Sequence, residues 1–456
     1  MGRMDAVRSA LLCSAAVFGL GVGLASDEVK PDWKAGASAV VITPKESIWL
    51  AGYADRKKPS QGVLQDLKAK ALALQDQNGL TAVIVTSDLA GFQRAVAEAI
   101  ADRAREKYGL PRDRLLLNSS HTHSGPLTAL DLFPAGYDVP EEQKPVITNY
   151  TRWMIDQVVE AIGKAIQNLQ PAHLSYEQGL AGFAVNRRRE RLRHLPGPVD
   201  HDVPVLTARD ASGETKAILF GYACHNTVLS GYQISGDYAG FAQEALEKAV
   251  PGAVALFVAG CGADANPLPR RTVPLARRYG ETLATAVTQV LEGKMRPLTG
   301  ALRTAFERVD LPIRKTPARD ELQAELDHNN QARARRARQL LGVLDREGSL
   351  PDRYPSPVQV WQFGRGLVLI ALGGEVVVDY SLRLKGLYGW HNTWVAAYSN
   401  DVFAYVPSLR VLQEGGYEGG AGPNIPYGLP APFAAAVEEI LVEKVEELVA
   451  KTRPKP

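Results

Sequence analysis

The sequence has little excess charge of either sign: 52 lysines and arginines face 50 aspartates and glutamates, a formal net charge of +2. No basic stripe is present that could neutralise a phosphate backbone, so nucleic acid is excluded as a partner. Long apolar runs are missing beyond the N-terminus, and no later segment is a candidate membrane span. Cysteine is scarce. Of the three, Cys13 falls in the N-terminal apolar stretch, which leaves Cys224 and Cys261. An exported chain can oxidise such a pair, provided the fold brings the two within bridging geometry. Histidine is scarce too, at eight residues. No internal repeat is visible.

What remains is an ordinary globular balance, 45% hydrophobic and 22% charged, which argues against wholesale disorder. At 456 residues the chain suits one large domain or two closely packed lobes. Its first 25 residues resemble a signal peptide. Arg3 and Arg8 give a basic start, Ala10 to Leu20 an apolar core, and Gly23 and Ala25 the small residues of a cleavage site before Ser26. An uncleaved anchor would need an apolar run of about 20 residues, longer than this one. The expected organisation is a signal peptide over 1–25, an extension over 26–36 and one domain over 37–452. A second packed lobe from about residue 300 is the alternative arrangement. Export to the periplasm or the exterior follows.

A recurring unit runs along the chain: a short apolar strand that enters a polar loop. Thr81–Thr86 leads to Asp88, and Arg114–Asn118 leads to His121-Thr-His123. Ala217–Tyr222 leads to Cys224-His225, and Val254–Val258 to Gly260 and Asp264. Leu367–Leu372 leads to Gly373-Gly-Glu375, and Val395–Tyr398 to Asn400-Asp401. Continuous apolar runs of this length suit strands buried on both faces. Helical periodicity covers Gln93–Tyr108, Glu141–Asn168, Tyr238–Ala249, Leu275–Glu292 and Pro432–Ala450. The alternation predicts an α/β fold, a mixed and mostly parallel sheet with helices packed around it. In such folds the site lies at the C-terminal strand ends, where all these polar loops fall. Arg319 to Arg346 predicts one long charged helix with a solvated face. Pro351–Pro357 predicts a loop, and so does Glu414–Gly428.

Three histidines and a glutamate at equivalent strand ends suggest a metal site. Imidazole and carboxylate are the usual ligands of catalytic zinc, which keeps one position for water. A single histidine after a single strand would be an ordinary structural residue. Asp237 and Asp264 fit either the orientation of ligating histidines or, for Asp237, the capping of the next helix. Cys224 beside His225 is not a nucleophilic pair, because neighbours on an extended chain point opposite ways.

Six stretches, in order, resemble the neutral/alkaline ceramidase family. They are Ala39–Pro44 with Ala51-Gly-Tyr53, Asn118–Pro126, Val185-Asn-Arg187, Cys224–Thr227 with Ser235–Gly240, Gly373-Gly-Glu375, and Tyr405-Val-Pro with Tyr417-Glu-Gly. The resemblance runs from about Ala37 to Gly428. It implies a zinc-dependent amidohydrolase that cleaves an N-acyl amide with a zinc-activated water. Position by position, it implies that His121, His225, Glu375 and Tyr405 hold Zn2+. It also implies that His123, Arg187 and Tyr417 surround the scissile amide, with His123 as the proton donor. The implied partner is a small-molecule or lipid-like N-acyl amide, which leaves room for peripheral contact with a membrane.

Two features depart from the family. Its site serine is replaced by Asn266, within Ala263-Asp-Ala-Asn-Pro267. Asparagine cannot be a nucleophile, although its amide can donate to an oxyanion. The family's C-terminal β-sandwich domain also has no counterpart in this sequence. Both departures bear on ceramide as substrate more than on zinc hydrolysis. The alternatives are a zinc hydrolase of another ester or envelope amide, and a non-catalytic binding protein that keeps the fold. The oligomeric state is open.

Overall fold

The computed structural model describes residues 31–190, 197–420 and 427–454. The leader expected over 1–25 lies outside them. The described strands are β1 (Trp33–Val41), β2 (Lys68–Asp76), β3 (Thr81–Ser87), β4 (Leu115–Ser119), β5 (Gln170–Leu180), β6 (Ala184–Asn186), β7 (Asp202–Asp210), β8 (Thr215–Tyr222) and β9 (Val254–Ala259). They continue as β10 (Ala265–Pro267), β11 (Arg296–Leu298), β12 (Leu302–Pro312), β13 (Arg353–Phe363), β14 (Leu367–Leu372), β15 (Glu375–Val376), β16 (Thr393–Ala396) and β17 (Tyr405–Val406). β1 begins inside the stretch 26–36.

A large sheet has the order β4-β3-β2-β1-β5-β7-β8-β9, with β11 also paired to β5. It is mixed, and only β3–β4 and β8–β9 are parallel. Each parallel pair is joined by a crossover helix, as parallel strands require: α1 (Arg94–Tyr108) and, after α2 (Gln143–Gln167), α3 (Asp237–Ala249). The other pairings are antiparallel. β2–β3 and β7–β8 are hairpins whose tight turns use Gly79 and Gly213 at φ 82° and 88°.

α4 (Val273–Glu292) follows, and then a four-stranded sheet, β12-β13-β14-β16. Pro355 and Pro357, expected in a loop, lie within β13. They pair with Asp310 and Arg308 of β12, upstream of the Val358–Phe363 stretch that also pairs with β14. That segment of β13 has one neighbour, which is where a strand tolerates proline's missing N–H. The expected long helix is two, α5 (Arg319–Ala324) and α6 (Gln331–Glu347). Asn330 caps the second by accepting from the N–H groups of Ala332 and Arg333, so the chain breaks at a capping residue rather than running through. α7 (Val378–Tyr388) joins β14 to the parallel β16, and Val437–Thr452 forms the C-terminal helix.

The chain from Pro31 onward forms one compact unit. Among the described residues no helix is long and apolar enough to cross a membrane. The ends of β4, β9 and β16 meet at Asn118, which is fully buried. Its side chain accepts from Ala259 N at 2.9 Å and donates to Ala397 O at 2.7 Å and Ser399 Oγ at 3.1 Å. One amide thereby locks three strand ends together, and the loops that leave them are forced into one place.

Candidate metal centre and substrate pockets

Those loops carry the chemistry. His121 follows β4 in the left-handed backbone region (φ 58°), as do Asp237 (55°), Tyr398 (51°) and Asn400 (65°). Non-glycine residues rarely adopt this conformation, and clusters of it mark functional sites. His225 follows β8. Glu375 opens β15 and stands opposite Tyr405 in the parallel β15–β17 pair.

The side chains converge. Glu375 Oε2 lies 3.2 Å from His121 Nε2 and 3.1 Å from His225 Nε2. His123 Nε2 lies 3.1 Å from His121 Nε2, and Tyr405 Oη 3.4 Å from His225 Nε2. The other nitrogens of two rings are already engaged: His121 Nδ1 faces Ala90 O at 2.6 Å, and His225 Nδ1 faces Gly262 O at 2.8 Å. A carbonyl only accepts, so each Nδ1 carries the proton, and each neutral ring presents a lone pair at Nε2. Two lone pairs therefore face a carboxylate oxygen that has no hydrogen-bond donor of its own. This is the arrangement a cation resolves. Carbonyls orienting the far ring nitrogens are the usual second layer of a histidine metal site.

His121, His123 and His225 form a group that could hold a metal ion, with ligand atoms all within 4.8 Å of one another. Nitrogen donors with a carboxylate fit zinc. Burial depresses His225 to a pKa of about 4, assisted by the charge of Arg187, and keeps it neutral. Burial alone would raise Glu375; it is held well below its ordinary range only if positive charge or a donor faces it from the side of His121 and His225, which is the place a cation would take. Burial, with Glu375 nearby, pushes the Tyr405 phenol well up. His123 is also driven well below its ordinary value, by burial and then by the two neighbouring histidines. Unlike the other two rings, its Nδ1 is buried with no partner among the described residues.

The remaining expected residues are nearby. Arg187 Nε donates to Glu418 at 2.6 Å and Nη2 to Tyr405 Oη at 3.3 Å, while its guanidinium lies 5.2 Å from the Tyr417 ring centre. A cavity of about 350 Å³ opens onto His121, His123, Glu375, Tyr405 and Tyr417, with Ala51, Gly91, Leu127, Pro134 and Val402 among its apolar walls. Asn266 does not line it. Together with Arg187 and Tyr417, Asn266 lines a second pocket of about 390 Å³. Tyr417 is common to both.

The aspartates accept from backbone N–H groups and, for Asp264, from a side-chain amide, rather than from imidazole. Asp237, the first residue of α3, accepts from Val228, Leu229 and Tyr238 N–H, which pins the loop after His225 to the start of the helix. Asp264 accepts from Val378 N and Asn186 Nδ2. Cys224 and Cys261 are both buried free thiols, and burial pushes each thiol up, so neither is a nucleophile.

Several contributors carry no motif. Tyr398 stacks on His121 with ring centres 4.3 Å apart, and Tyr427 donates to Glu375 Oε1 at 2.5 Å. Tyr427 sits in the Gly-, Pro- and Tyr-rich stretch Glu414–Gly428, and that tyrosine enrichment was the available signal. α6 is not simply a solvated face. Arg335 bonds Ala135 O and Asp138, Gln339 bonds Phe133 O, and Arg336 bonds Leu429 O and Pro430 O. The helix thereby clamps the loops that carry Pro134, Tyr137 and Tyr427 around the cavity.

The α/β fold thus gathers a histidine–carboxylate cluster that could hold a metal ion beside a partly apolar cavity. A sequence profile described as "Neutral/alkaline non-lysosomal ceramidase, N-terminal" matches residues 33–302. The chain belongs to that family. It is 27% identical over 242 residues to Neutral ceramidase A of Dictyostelium discoideum, a match covering 47% of this chain and 32% of that protein. With the neutral ceramidase of Oryza sativa it shares 23% identity over 230 residues, 45% of this chain and 28% of the relative. The matched part thus spans about a third of the curated relatives' length. The fold is similar to the crystal structure of neutral ceramidase from Pseudomonas aeruginosa, with a TM-score of 0.71 and 21% identity over 93% of this chain and 76% of that one.

Proposed function

We propose that this chain is a zinc-dependent hydrolase of N-acyl amide bonds, with the metal held by His121, His225, Glu375 and Tyr405. The observation that carries the reading is the pair of imidazole lone pairs facing Glu375 Oε2 at 3.2 and 3.1 Å beside the cavity. Zinc bound there supplies Lewis acidity, polarising a carbonyl and bringing the pKa of water to about 7.

The protein's own groups do the rest. The apolar walls of the cavity receive the acyl arm and exclude water from the reacting carbonyl. His123, kept neutral by its burial, aims Nε2 at the cluster; its N–H stabilises negative charge as it develops on the carbonyl oxygen, and the leaving nitrogen takes the proton that the attacking water gives up. Arg187, fixed by Glu418, holds a positive charge against Tyr405 and Tyr417 at the mouth. Asn266 cannot form an acyl-enzyme, so the attack falls to water. The N-terminal leader supports export to the periplasm or exterior.

The test is release of fatty acid from a panel of N-acyl amides by the purified chain, before and after chelation. Turnover that a chelator abolishes and zinc restores is the expected result. Turnover indifferent to the chelator, or no turnover of any amide by zinc-loaded protein, would overturn it.

A further inference from the structure

The second pocket has a different chemistry from the cavity. Its lining is Arg187, Arg188, Asn266, Arg270, Gly416, Tyr417 and Glu418, three cations against one anion. Glu418 is shared between Arg187 and Arg188, and Arg188 takes Glu414 as well. Arg270 is left without a carboxylate partner among the described residues; its side-chain hydrogen bond is to a neutral group, Thr227 Oγ1, at 3.4 Å. Arg271, next in the chain, donates to the phenol of Tyr53 at 2.8 Å. Arg270 is half-buried, and its pKa is lowered first by that burial and then by the charges of Arg271 and Arg187. The surplus positive charge is therefore felt at this residue.

A second feature points to a ligand. Asn266 is only 5% exposed, lines the pocket, and has an Oδ1 with no partner among the described residues. An Oδ1 there would need a donor; rotated by half a turn, the amide puts its NH2 in that place instead, a donor that a carboxylate can satisfy. A buried polar group without a partner is destabilising unless something else supplies the bond. Arginine and an amide N–H2 together make a carboxylate receptor.

The two pockets share Tyr417, and Arg187 bridges from the second pocket to Tyr405 at the cluster. A substrate whose acyl arm fills the apolar cavity places its carbonyl at the cluster and sends its amine side past Tyr417 to Arg270. We propose that the pocket of Arg187, Arg188, Asn266 and Arg270 binds a carboxylate on the amine side of the amide, which makes N-acyl amino acids the preferred substrates over uncharged N-acyl amides. This rests on the proposed hydrolysis for the direction of the substrate, but not for the existence of the anion pocket.

Binding separates the two claims. The probes are the ketomethylene isosteres of N-dodecanoylglycine and N-dodecanoylethanolamine, in which a methylene replaces the amide NH so that neither is cleaved. Calorimetry on the zinc-loaded full chain should find the carboxylate probe bound about 10-fold or more tighter than the alcohol, the scale of one charged hydrogen bond. Arg270→Gln should bring the ratio near one, and Arg270→Lys should keep part of it. Equal binding in the wild type, a preference undiminished in Arg270→Gln, or binding of neither probe would overturn the proposal. Hydrolysis of the parent amides is then measured separately. A carboxylate preference without hydrolysis supports the pocket and refutes the reaction; hydrolysis without the preference does the reverse.

Discussion

Replacing His123 divides the site most sharply. Its ring is as close to His121 as a fellow ligand would be, 3.1 Å between Nε2 atoms. Its second nitrogen distinguishes it. His121 and His225 are oriented by carbonyls at 2.6 and 2.8 Å, whereas His123 Nδ1 has no partner among the described residues. With His121 Nδ1–H committed to Ala90, the contact between the rings is relieved, when no ion is bound, by the tautomer that carries its proton on His123 Nε2, a donor rather than a lone pair. His123→Ala should therefore keep its zinc and lose roughly 10² to 10⁴ in turnover, about 3 to 5 kcal/mol of barrier. His121→Ala should lose both, because it removes a ligand and leaves a buried carboxylate uncompensated. The assay is elemental analysis of each purified variant beside initial rates on one N-acyl amide. A zinc-free His123→Ala protein would make His123 a ligand and refute the division of labour. Full activity would make it a structural residue.

Other consequences can be checked independently. Gly52 stands at φ 91°, and a Cβ there would lie 2.2 Å from Cγ of His123; Gly52→Ala should lose about 1–3 kcal/mol of stability in chemical denaturation and slow turnover while zinc stays. Asp401 is buried, which raises its pKa to about 6 despite help from Tyr354 and Arg94. The native state thus holds a proton that the unfolded chain releases near pH 4, and stability falls as pH rises through the window from about 4 to about 6. Relative to Asp401→Asn, the wild type should lose up to about 3 kcal/mol between pH 4 and pH 7 in urea titrations; a constant gap would show that Asp401 ionises normally. Secretion should leave Ser26 as the first residue, and mass spectrometry finding Met1 on exported protein would refute cleavage.

The polar loops after apolar strands were legible because catalytic side chains on an α/β scaffold leave strand ends, and six of those strands are continuous apolar runs. β3, β4, β8, β9 and the crossover helices between them came out for that reason. β1, β2, β5 and β7 did not, since polar residues and proline such as Lys34, Lys70, Glu177 and Pro204 interrupt their apolar runs; their antiparallel pairings make most of the large sheet antiparallel. The Arg-rich segment misled because charge periodicity carries no information about the break before Asn330. His121, His225 and Glu375 were visible as chemistry, whereas Tyr398 enters by stacking on His121 and Tyr427 by a hydrogen bond to Glu375 from a loop distant in sequence. The separation of Asn266 from the apolar cavity is a matter of three dimensions, and strand-end position could not reveal it.

The central claim is that a metal sits where His121, His225 and Glu375 converge. X-ray diffraction from crystals of the purified chain, collected above and below the zinc absorption edge, tests it directly. The account predicts one anomalous peak bonded to His121 Nε2, His225 Nε2 and Glu375 Oε2, with Tyr405 Oη beside it. A zinc-supplemented crystal with no peak at these atoms, or with its zinc held elsewhere, would contradict it.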